Sequence, residues 1–270
     1  VLLYQDKFAE AASALDNVIG IYSLVSDYGS QFLRFGENGP ESVFEIQYSN
    51  QSNWYDWGCA HCSEGNYAII MNGPRGWSGP EYAQGWSFNV PTEEFYNSFE
   101  EGDSRRDATV LDIEAFATAN NPTYTEGYEH TGYFNNKYIP RAGESGGQTE
   151  LNYLSNFRII RYSDVLLMAA EAYNRGGIDD GLAQEFLNQV RRRAFGDDDH
   201  DISASGTALT DAIWEERKFE LSLEGHRFFD LVRTGRASSL IAGFVEGKHE
   251  VFPIPQQEVD ISGLTQNAGY

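Results

Sequence analysis

The sequence predicts a mainly α-helical fold with long irregular loops and minor β structure. Three stretches, residues 159–174, 181–195 and 207–224, carry apolar side chains at helical spacing. Residues 49–90 lack this periodicity and are rich in glycine, asparagine and serine. A chain of 270 residues is long enough to bury a sizeable core. We therefore expect a helical scaffold from which long loops project.

The first predicted helix covers residues 4–19. Its apolar side chains fall on one helical face, at Phe8, Ala11, Ala12, Leu15, Val18 and Ile19. The segment resembles the second helix of a tetratricopeptide-type pair, and half a repeat cannot bury its apolar face alone. We therefore expect a partner helix from residues upstream of Val1 or from elsewhere.

Between this helix and the second half, the predicted elements are short. Residues 41–48 alternate apolar and polar side chains and predict a strand. Residues 49–90 predict a long irregular loop, too aromatic to be disordered. A helix is predicted over residues 91–101, where Pro91 and two early acids suit a helix start, and residues 120–150 predict another loop.

The three helices of the second half have clear ends. Gly176-Gly177 closes the first helix, and Gly225 closes the third. Residues 252–255 read Phe-Pro-Ile-Pro, which predicts an extended tail because a residue before proline avoids helical backbone.

Composition excludes several classes of function. The 19 basic and 41 acidic residues give a net charge of −22, which repels nucleic-acid phosphates and anionic lipid. The sequence has no run of 18 or more apolar residues, so no transmembrane helix is expected, and no basic-plus-apolar leader is visible at its start. The two cysteines do not form a disulfide framework, so the fold must rest on its core.

Five segments together resemble the SusD/RagB family of nutrient-binding proteins. They are ESVFEIQYSN (41–50), FEEGDSRRDATVL (99–111), RYSDVLLMAAEAYN (161–174), AIWEERKFELSLEGHRFFDLVRTG (212–235) and FPIPQQEVDISGLTQNAGY (252–270). The likeness extends over residues 1–270 and corresponds to the C-terminal part of such proteins. The family's lipid-bearing N-terminal cysteine and earlier repeats have no counterpart here, and Ala268 stands where proline is common in the closing motif.

The resemblance implies one SusD-like domain over residues 1–270. In it, residues 1–22 hold the last helix of a tetratricopeptide-type α–α superhelix, 49–90 the aromatic loop region and 159–235 the helical core. It also implies a lipoprotein on the outer leaflet of the cell outer membrane, facing the extracellular side. There such a protein covers a SusC-type TonB-dependent transporter and captures oligosaccharides or, in the RagB branch, peptides. Neither catalysis nor a cofactor is expected.

The aromatic loop is the predicted ligand-binding region. Aromatic rings suit the apolar faces of sugars, and interleaved polar groups suit their hydroxyls. The candidate residues are Asn53, Trp54, Tyr55, Asp56, Trp57, Asn72, Arg75, Trp77, Tyr82 and Trp86. Of these we favour Trp54, Trp57 and Trp77, which have glycine, asparagine or aspartate neighbours. The alternative is that these aromatics pack the loop onto the helices.

Cys59 and Cys62 lie in the same loop. A redox role would need a βαβ setting, haem attachment would need histidine where Ser63 stands, and a metal site lacks a fourth ligand. The pair is therefore interpreted as a short-loop disulfide or as structural thiols.

The helix over 207–224 is the place where a glycosidase would be sought, because Glu216, Glu220 and Glu224 lie four apart on one face. Every acid here has an arginine within helical reach, and such pairing lowers the pKa that a general acid needs raised. We therefore predict a structural ion-pair network that joins this helix to the helix carrying Arg161 and Asp164.

The loop over residues 197–201 holds four aspartates and a histidine. It lacks the glycine and closing glutamate of an EF-hand, so we interpret it as a solvated loop rather than a calcium site, and no metal is assigned.

The tryptophan-rich character of the aromatic loop favours glycans as ligands over peptides. A glycoside hydrolase and a bare repeat scaffold are the remaining alternatives.

Overall fold

The computed structural model describes residues 1–51, 57–127, 129–146 and 151–270, with the backbone alone for residues 60 and 61. These residues form two compact units, 1–224 and 225–270. Among the described residues, no helix has both the length and the apolar character needed to cross a lipid bilayer.

Helices dominate the described part of the chain, as predicted. They are α1 (Phe8–Asp16), α2 (Ala68–Asn72), α3 (Glu93–Asn97), α4 (Arg105–Thr109), α5 (Ile113–Asn120), α6 (Tyr162–Arg175), α7 (Asp180–Phe195), α8 (Gly206–Glu220), α9 (Arg227–Arg233), α10 (Ala237–Leu240) and α11 (Gln256–Ser262). Short 3-10 turns accompany them, at Leu3–Gln5, Tyr28–Phe32, Arg34–Gly36 and Trp57–Cys62.

The β structure of the described residues consists of antiparallel pairs of short strands. The strands are β1 (Ser42–Ile46), β2 (Arg75–Ser78), β3 (Val110–Asp112), β4 (Thr123–Thr125), β5 (Tyr133–Asn135) and β6 (Phe157–Arg161). β1 pairs with β6, β2 with β4, and β3 with β5. Each pair joins segments distant in sequence, so the strands tie the long loops back to the chain.

Helix α6 is the centre of the first unit. It packs against α1, α7 and α8, and its side chains from Val165 to Leu167 are buried. Asp164 in its first turn and Arg175 in its last turn both complement the helix dipole. Helices α6, α7 and α8 correspond to the three helices predicted in the second half, but α8 ends at Glu220 rather than at Gly225.

The start of the first of these helices differs from the prediction. Residues 159–161 belong to β6, where Ile160 pairs with Phe44 and Arg161 with Ser42 of β1. β-Branched isoleucines pack well on a pleated surface, so pairing with β1 overrides the helical spacing that continues into α6.

The first helix is also shorter than predicted. Residues 4–19 divide into the 3-10 turn Leu3–Gln5 and helix α1, because Asp6 has a left-handed backbone with φ of 52°. A residue in that conformation cannot continue a right-handed helix.

Several elements were not predicted. Helices α4 and α5 lie between the expected helix at 91–101, which is represented by α3, and the expected loop at 120–150. That loop carries strands β4 and β5. Asp112 caps the start of helix α5, and its carboxylate accepts the Ala115 N–H at 2.9 Å. Aspartate before a short apolar run is the sequence signal for this helix.

A buried ion-pair network links α8 to the rest of the first unit. The Arg161 guanidinium lies 2.8 Å from Glu220 and 2.8 Å from Glu224, and Arg217 lies 2.6 Å from Asp164. These contacts confirm the predicted network, although Arg161 lies before the first turn of α6 rather than within the helix. The name ion-pair network is used below for the members whose side chains are buried, namely Glu41, Arg105, Lys137, Arg161, Arg193, Glu216, Glu220 and Glu224.

The second unit comprises α9, α10, α11 and the tail. Residues 252–255 have no regular secondary structure, as predicted, and Pro255 precedes α11. The Gln266 side chain accepts the Ile254 N–H and donates to the Ile254 carbonyl, each at 2.8 Å. The tail is therefore held by side-chain hydrogen bonds rather than by a strand partner.

Candidate functional site

The aromatic loop region folds around helix α2, which the sequence did not predict. Ile69 and Ile70 of this helix are buried in an aromatic cluster. The next part of the chain runs alongside: the Trp86 N–H donates to the Ile70 carbonyl at 2.8 Å, and the Phe88 N–H donates to the Met71 carbonyl at 2.7 Å. These bonds fix the backbone that carries Trp86 and Phe88.

Two glycines make this approach possible. Gly85 and Gly73 meet where the two segments cross, and a Cβ on Gly85 would overlap the Gly73 backbone. The loop from 74 to 84 is thereby closed at its base. Only glycine permits so close a contact between two backbones.

Three aromatic side chains form a contiguous patch on this framework. The Trp57 ring stacks on Trp86, with centroids 5.8 Å apart and planes inclined by 29°, and Trp86 meets Phe88 edge to face at 6.5 Å. Trp57 and Phe88 are each 52% exposed, whereas Trp86 is partly buried against the α2 cluster. The patch therefore has a fixed centre and two accessible flanks.

Arg75 adds a cationic donor to the patch. Its Nε donates to the Trp86 carbonyl at 2.7 Å, and its guanidinium carbon lies 5.6 Å from the centroid of the Phe88 ring. The side chain is therefore held in place although the residue is exposed. Trp57, Arg75, Trp86 and Phe88 are called the aromatic surface below.

The aromatic surface has the chemistry of a ligand platform. Flat rings bind apolar faces, and a guanidinium presents several N–H donors in a planar fork. Large exposed aromatics beside polar donors are typical of binding sites rather than of ordinary protein exterior. Nothing in this set of side chains supplies a nucleophile or a proton donor for neutral-pH chemistry.

Two of the predicted binding residues are core residues instead. Trp77 is 8% exposed and Tyr82 is 5% exposed, and both pack on Phe116, with ring centroids 5.8 Å and 5.1 Å away. Strand β2 turns Trp77 inward while its neighbours remain exposed. The packing alternative therefore describes Trp77 and Tyr82, and neither belongs to the aromatic surface.

The remaining candidates divide into two groups. The Asn72 side-chain amide donates to the Ala68 carbonyl at 3.2 Å and to the Tyr138 carbonyl at 3.0 Å, so it has a structural role at the end of α2. Asn53, Trp54, Tyr55 and Asp56 lie outside the described residues.

Cys59 and Cys62 are joined by a disulfide, with their Cα atoms 5.3 Å apart. The bond closes the 3-10 turn Trp57–Cys62, which is kinked at Cys59. The same turn carries Trp57 at its first position, so the disulfide lies directly beside the aromatic surface in sequence.

The carboxylates of Glu220, the last residue of α8, and of Glu224, which follows the helix, are paired with cations. Burial acts to raise the pKa of Glu220, but Arg193, Arg161 and Arg105 together hold that pKa well below its usual value. Burial likewise opposes the lowered pKa of Glu224, which Arg161 and Lys137 produce. A carboxylate with a depressed pKa cannot serve as a general acid near neutral pH.

Lys137 is a member of the network that the sequence did not reveal. Its ammonium donates to the carbonyls of Glu220 and Ser222 at 3.1 and 2.8 Å and to the Glu224 carboxylate at 2.7 Å. Burial lowers the pKa of Lys137 to about 8, although Glu224 opposes the shift.

The side chains of the acidic loop at 197–201 form hydrogen bonds and ion pairs with neighbouring residues. Asp197 accepts the Asp199 N–H at 3.1 Å and contacts the His200 ring, while Asp201 pairs with Arg192. In the part of the chain that the structure describes, no group of three or more acidic, histidine or cysteine side chains is placed to hold a metal ion.

Phe88 is the site residue that the sequence analysis missed. The local sequence Trp-Ser-Phe at residues 86–88 gave a signal, because it places a second aromatic side chain two residues after the candidate Trp86. The exposure of Phe88 depends on the Gly73–Gly85 crossing, which brings together residues twelve apart and has no local sequence signature.

The SusD family model matches residues 40–243 of the chain. SusD-like protein P2 of Formosa agariphila is 29% identical over 255 residues, which cover 85% of this chain and 48% of that protein. SusD-like protein P38 of the same organism is 28% identical and is likewise covered to 48%. The chain thus spans about half the length of these curated relatives.

Solved structures share the fold. A laminarin-binding SusD-like protein superimposes with a TM-score of 0.88 at 36% identity, covering 100% of this chain and 60% of that one. Surface glycan-binding protein A from Bacteroides thetaiotaomicron, in complex with laminarihexaose, has a TM-score of 0.89 at 32% identity, covering 98% of this chain and 61% of that one. With a family model that matches most of its length, the chain belongs to the SusD family.

Proposed function

We propose that this chain is the glycan-binding part of a cell-surface protein that captures oligo- or polysaccharides for uptake. The observation that carries the proposal is the aromatic surface, in which the accessible rings of Trp57 and Phe88 flank a fixed Trp86. The proteins of known structure with this fold include two whose names record laminarin or laminarihexaose as the ligand.

The ligand that fits best is a neutral glucan of the laminarin type. Sugar rings stack on flat aromatic side chains, and the Arg75 fork can donate to hydroxyls beside them. A net charge of −22 disfavours uronic-acid or sulfated polysaccharides, because long-range repulsion slows and weakens the association of like charges.

We infer that the bound glycan is not cleaved. Cleavage would need a carboxylic acid with a raised pKa close to a second carboxylate. The pKa values of the buried Glu220 and Glu224 are lowered instead, and arginine and lysine partners hold both carboxylates. A role in binding alone is consistent with this arrangement.

The proposed location is the outer face of the outer membrane, with a TonB-dependent transporter of the SusC type as partner. A disulfide at Cys59–Cys62 suits an oxidising compartment outside the cytoplasm. One relative of known structure, from Bacteroides thetaiotaomicron, is named as a surface glycan-binding protein. Co-purification of the tagged protein with its transporter tests the partnership, and recovery of the protein alone from solubilised membranes would contradict it.

Affinity electrophoresis in gels containing laminarin tests the binding proposal, followed by calorimetric titration with laminarihexaose. We expect laminarin to retard the wild type and Trp57→Ala to weaken binding about tenfold or more, or ~1.4 kcal/mol or more, because a central aromatic contact is lost. Trp86→Ala should have at least the same effect, since Trp57 stacks on it.

The matched control is Phe35→Ala. Phe35 is 79% exposed in the turn Arg34–Gly36 and is not part of the aromatic surface, so this variant should bind like the wild type. Equal losses in Phe35→Ala and Trp57→Ala would contradict the assigned surface. Absence of retardation together with binding of oligopeptides would replace glycan capture with peptide capture.

A further inference from the structure

The residues that follow the turn Trp57–Cys62 are anchored to the rest of the first unit. The Asn66 N–H donates to the Tyr153 carbonyl at 2.7 Å, and its side chain donates to the Ser155 carbonyl at 3.0 Å. A Cβ at Gly65 would overlap the Leu151 carbonyl oxygen, so the backbone of this segment lies directly against residues 151–152. Residues 65–66 are therefore fixed against residues 151–155.

Trp57 lies at the start of the turn, six residues before Ser63, whose hydroxyl donates to the Leu151 carbonyl at 2.5 Å. Its ring is half exposed and meets Trp86 through one stacked face. The free energy gained from a single aromatic contact is smaller than the free-energy cost, in lost conformational entropy, of ordering a segment of this length. Restraints on the backbone of the turn therefore help to decide whether Trp57 stays on Trp86.

The Cys59–Cys62 disulfide is a covalent restraint within this turn. It closes a ring within the turn, two residues after Trp57 and one residue before Ser63, whose hydroxyl donates to the Leu151 carbonyl. A covalent ring at this point reduces the conformations open to the turn. The anchored end and the stacked tryptophan are thereby connected by a stiff segment rather than by a free one.

We propose that the Cys59–Cys62 disulfide positions Trp57 on Trp86 and so preorganises the aromatic surface for its ligand. The proposal rests on the proposed function for its effect on glycan affinity, but its structural part, the placement of one ring on another, does not. We expect the disulfide to contribute little to the stability of the fold and more to binding, and both expectations follow from its position. A four-residue ring closes little chain, whereas the ring lies next to a ligand-contacting side chain.

The test is a double-mutant cycle with laminarihexaose as the probe. Cys59→Ser/Cys62→Ser should weaken binding about tenfold in the wild-type background, because the turn must then be ordered upon binding. In a Trp57→Ala background the same two substitutions should change affinity by less than about twofold, since the ring that they position is gone. Equal losses in both backgrounds would overturn the proposal.

A second measurement needs no ligand. Two stacked indoles give a coupled circular dichroism band, which is identified as the band that Trp57→Ala removes. We expect Cys59→Ser/Cys62→Ser to remove most of this band while thermal unfolding shifts little, and an unchanged band would overturn the proposal. If the wild type binds no glycan, the proposed function fails, and this band still decides whether the disulfide positions Trp57.

Discussion

The ion-pair network and the aromatic surface are built from residue types that usually mark function, yet they differ in what surrounds them. In the network, Glu220 and Glu224 are buried, and cations fix both carboxylates. In the aromatic surface, Trp57 and Phe88 keep half of their area accessible. The comparison teaches that burial and partnership, rather than residue type, separate a scaffold from a site.

The largest effect should come from breaking the network at its centre. Arg161→Met leaves the carboxylates of Glu41, Glu220 and Glu224 buried without their shared cation. We expect a loss of about 3–5 kcal/mol in the free energy of unfolding, measured by urea denaturation. Arg106→Met is the control, since its pair with Asp107 is exposed and should contribute about 0–1 kcal/mol. Equal losses would remove the distinction between buried and exposed pairs.

Replacing Trp77 should lower stability and spare glycan affinity, whereas replacing Trp57 should lower glycan affinity and spare stability. Trp77→Ala empties a core position and should cost about 3–5 kcal/mol of unfolding free energy, with glycan affinity nearly unchanged in the folded protein. Trp57→Ala should change stability by about 0.5 kcal/mol or less and should act on affinity. Titration and denaturation of both variants check this, and a large loss of affinity in folded Trp77→Ala would place Trp77 in the binding site.

Acid should weaken the network before it weakens the aromatic surface. The pKa values of Glu220 and Glu224 lie below the value of 4.5 expected in the unfolded chain, so the unfolded chain binds more protons at acid pH. Their stabilising contribution is therefore complete above pH 4.5 and is lost as pH falls through the folded-state pKa values. Each adds a slope of up to about 1.4 kcal/mol per pH unit in that window.

Urea denaturation at a series of pH values from 7 to 3 measures this slope. Glu215→Gln alters an exposed glutamate of the same helix, paired with Lys218, and should leave the slope unchanged. A flat stability profile between pH 4.5 and 3 in the wild type would argue that the network carboxylates are not held in their charged form.

The smallest effect should come from the rim of the aromatic surface. Arg75→Met removes the guanidinium but keeps much of the aliphatic stem, so packing on Phe88 is partly retained. We expect affinity for laminarihexaose to fall about three- to tenfold, the size of one or two hydrogen bonds. Titration calorimetry measures it, and unchanged affinity would restrict the site to its aromatic rings.

The sequence predicted the scaffold better than the site, for physical reasons. Helices α6, α7 and α8 have apolar side chains at regular local spacing, and the acids of α8 lie four residues apart, so both the helices and their ion pairs leave a local pattern. Strand β6 was not predicted, because its partner β1 lies more than a hundred residues away in sequence.

Trp57 and Trp77 show why the site could not be read fully from sequence. Each has glycine and polar or small neighbours, and the sequence favoured both as ligand contacts. Packing on Phe116 from helix α5 buries Trp77, whereas the turn Trp57–Cys62 leaves Trp57 exposed. That choice depends on contacts between distant segments, which no window of neighbouring residues contains.

Lys137 has a consequence for labelling chemistry. Its amine is wholly buried among backbone carbonyls and Glu224, so an amine-reactive reagent reaches it only when the core opens. Exposed lysines such as Lys7 react from the folded chain without such opening. The rate at which Lys137 becomes modified therefore reports how often the structure opens around this one residue, without denaturant.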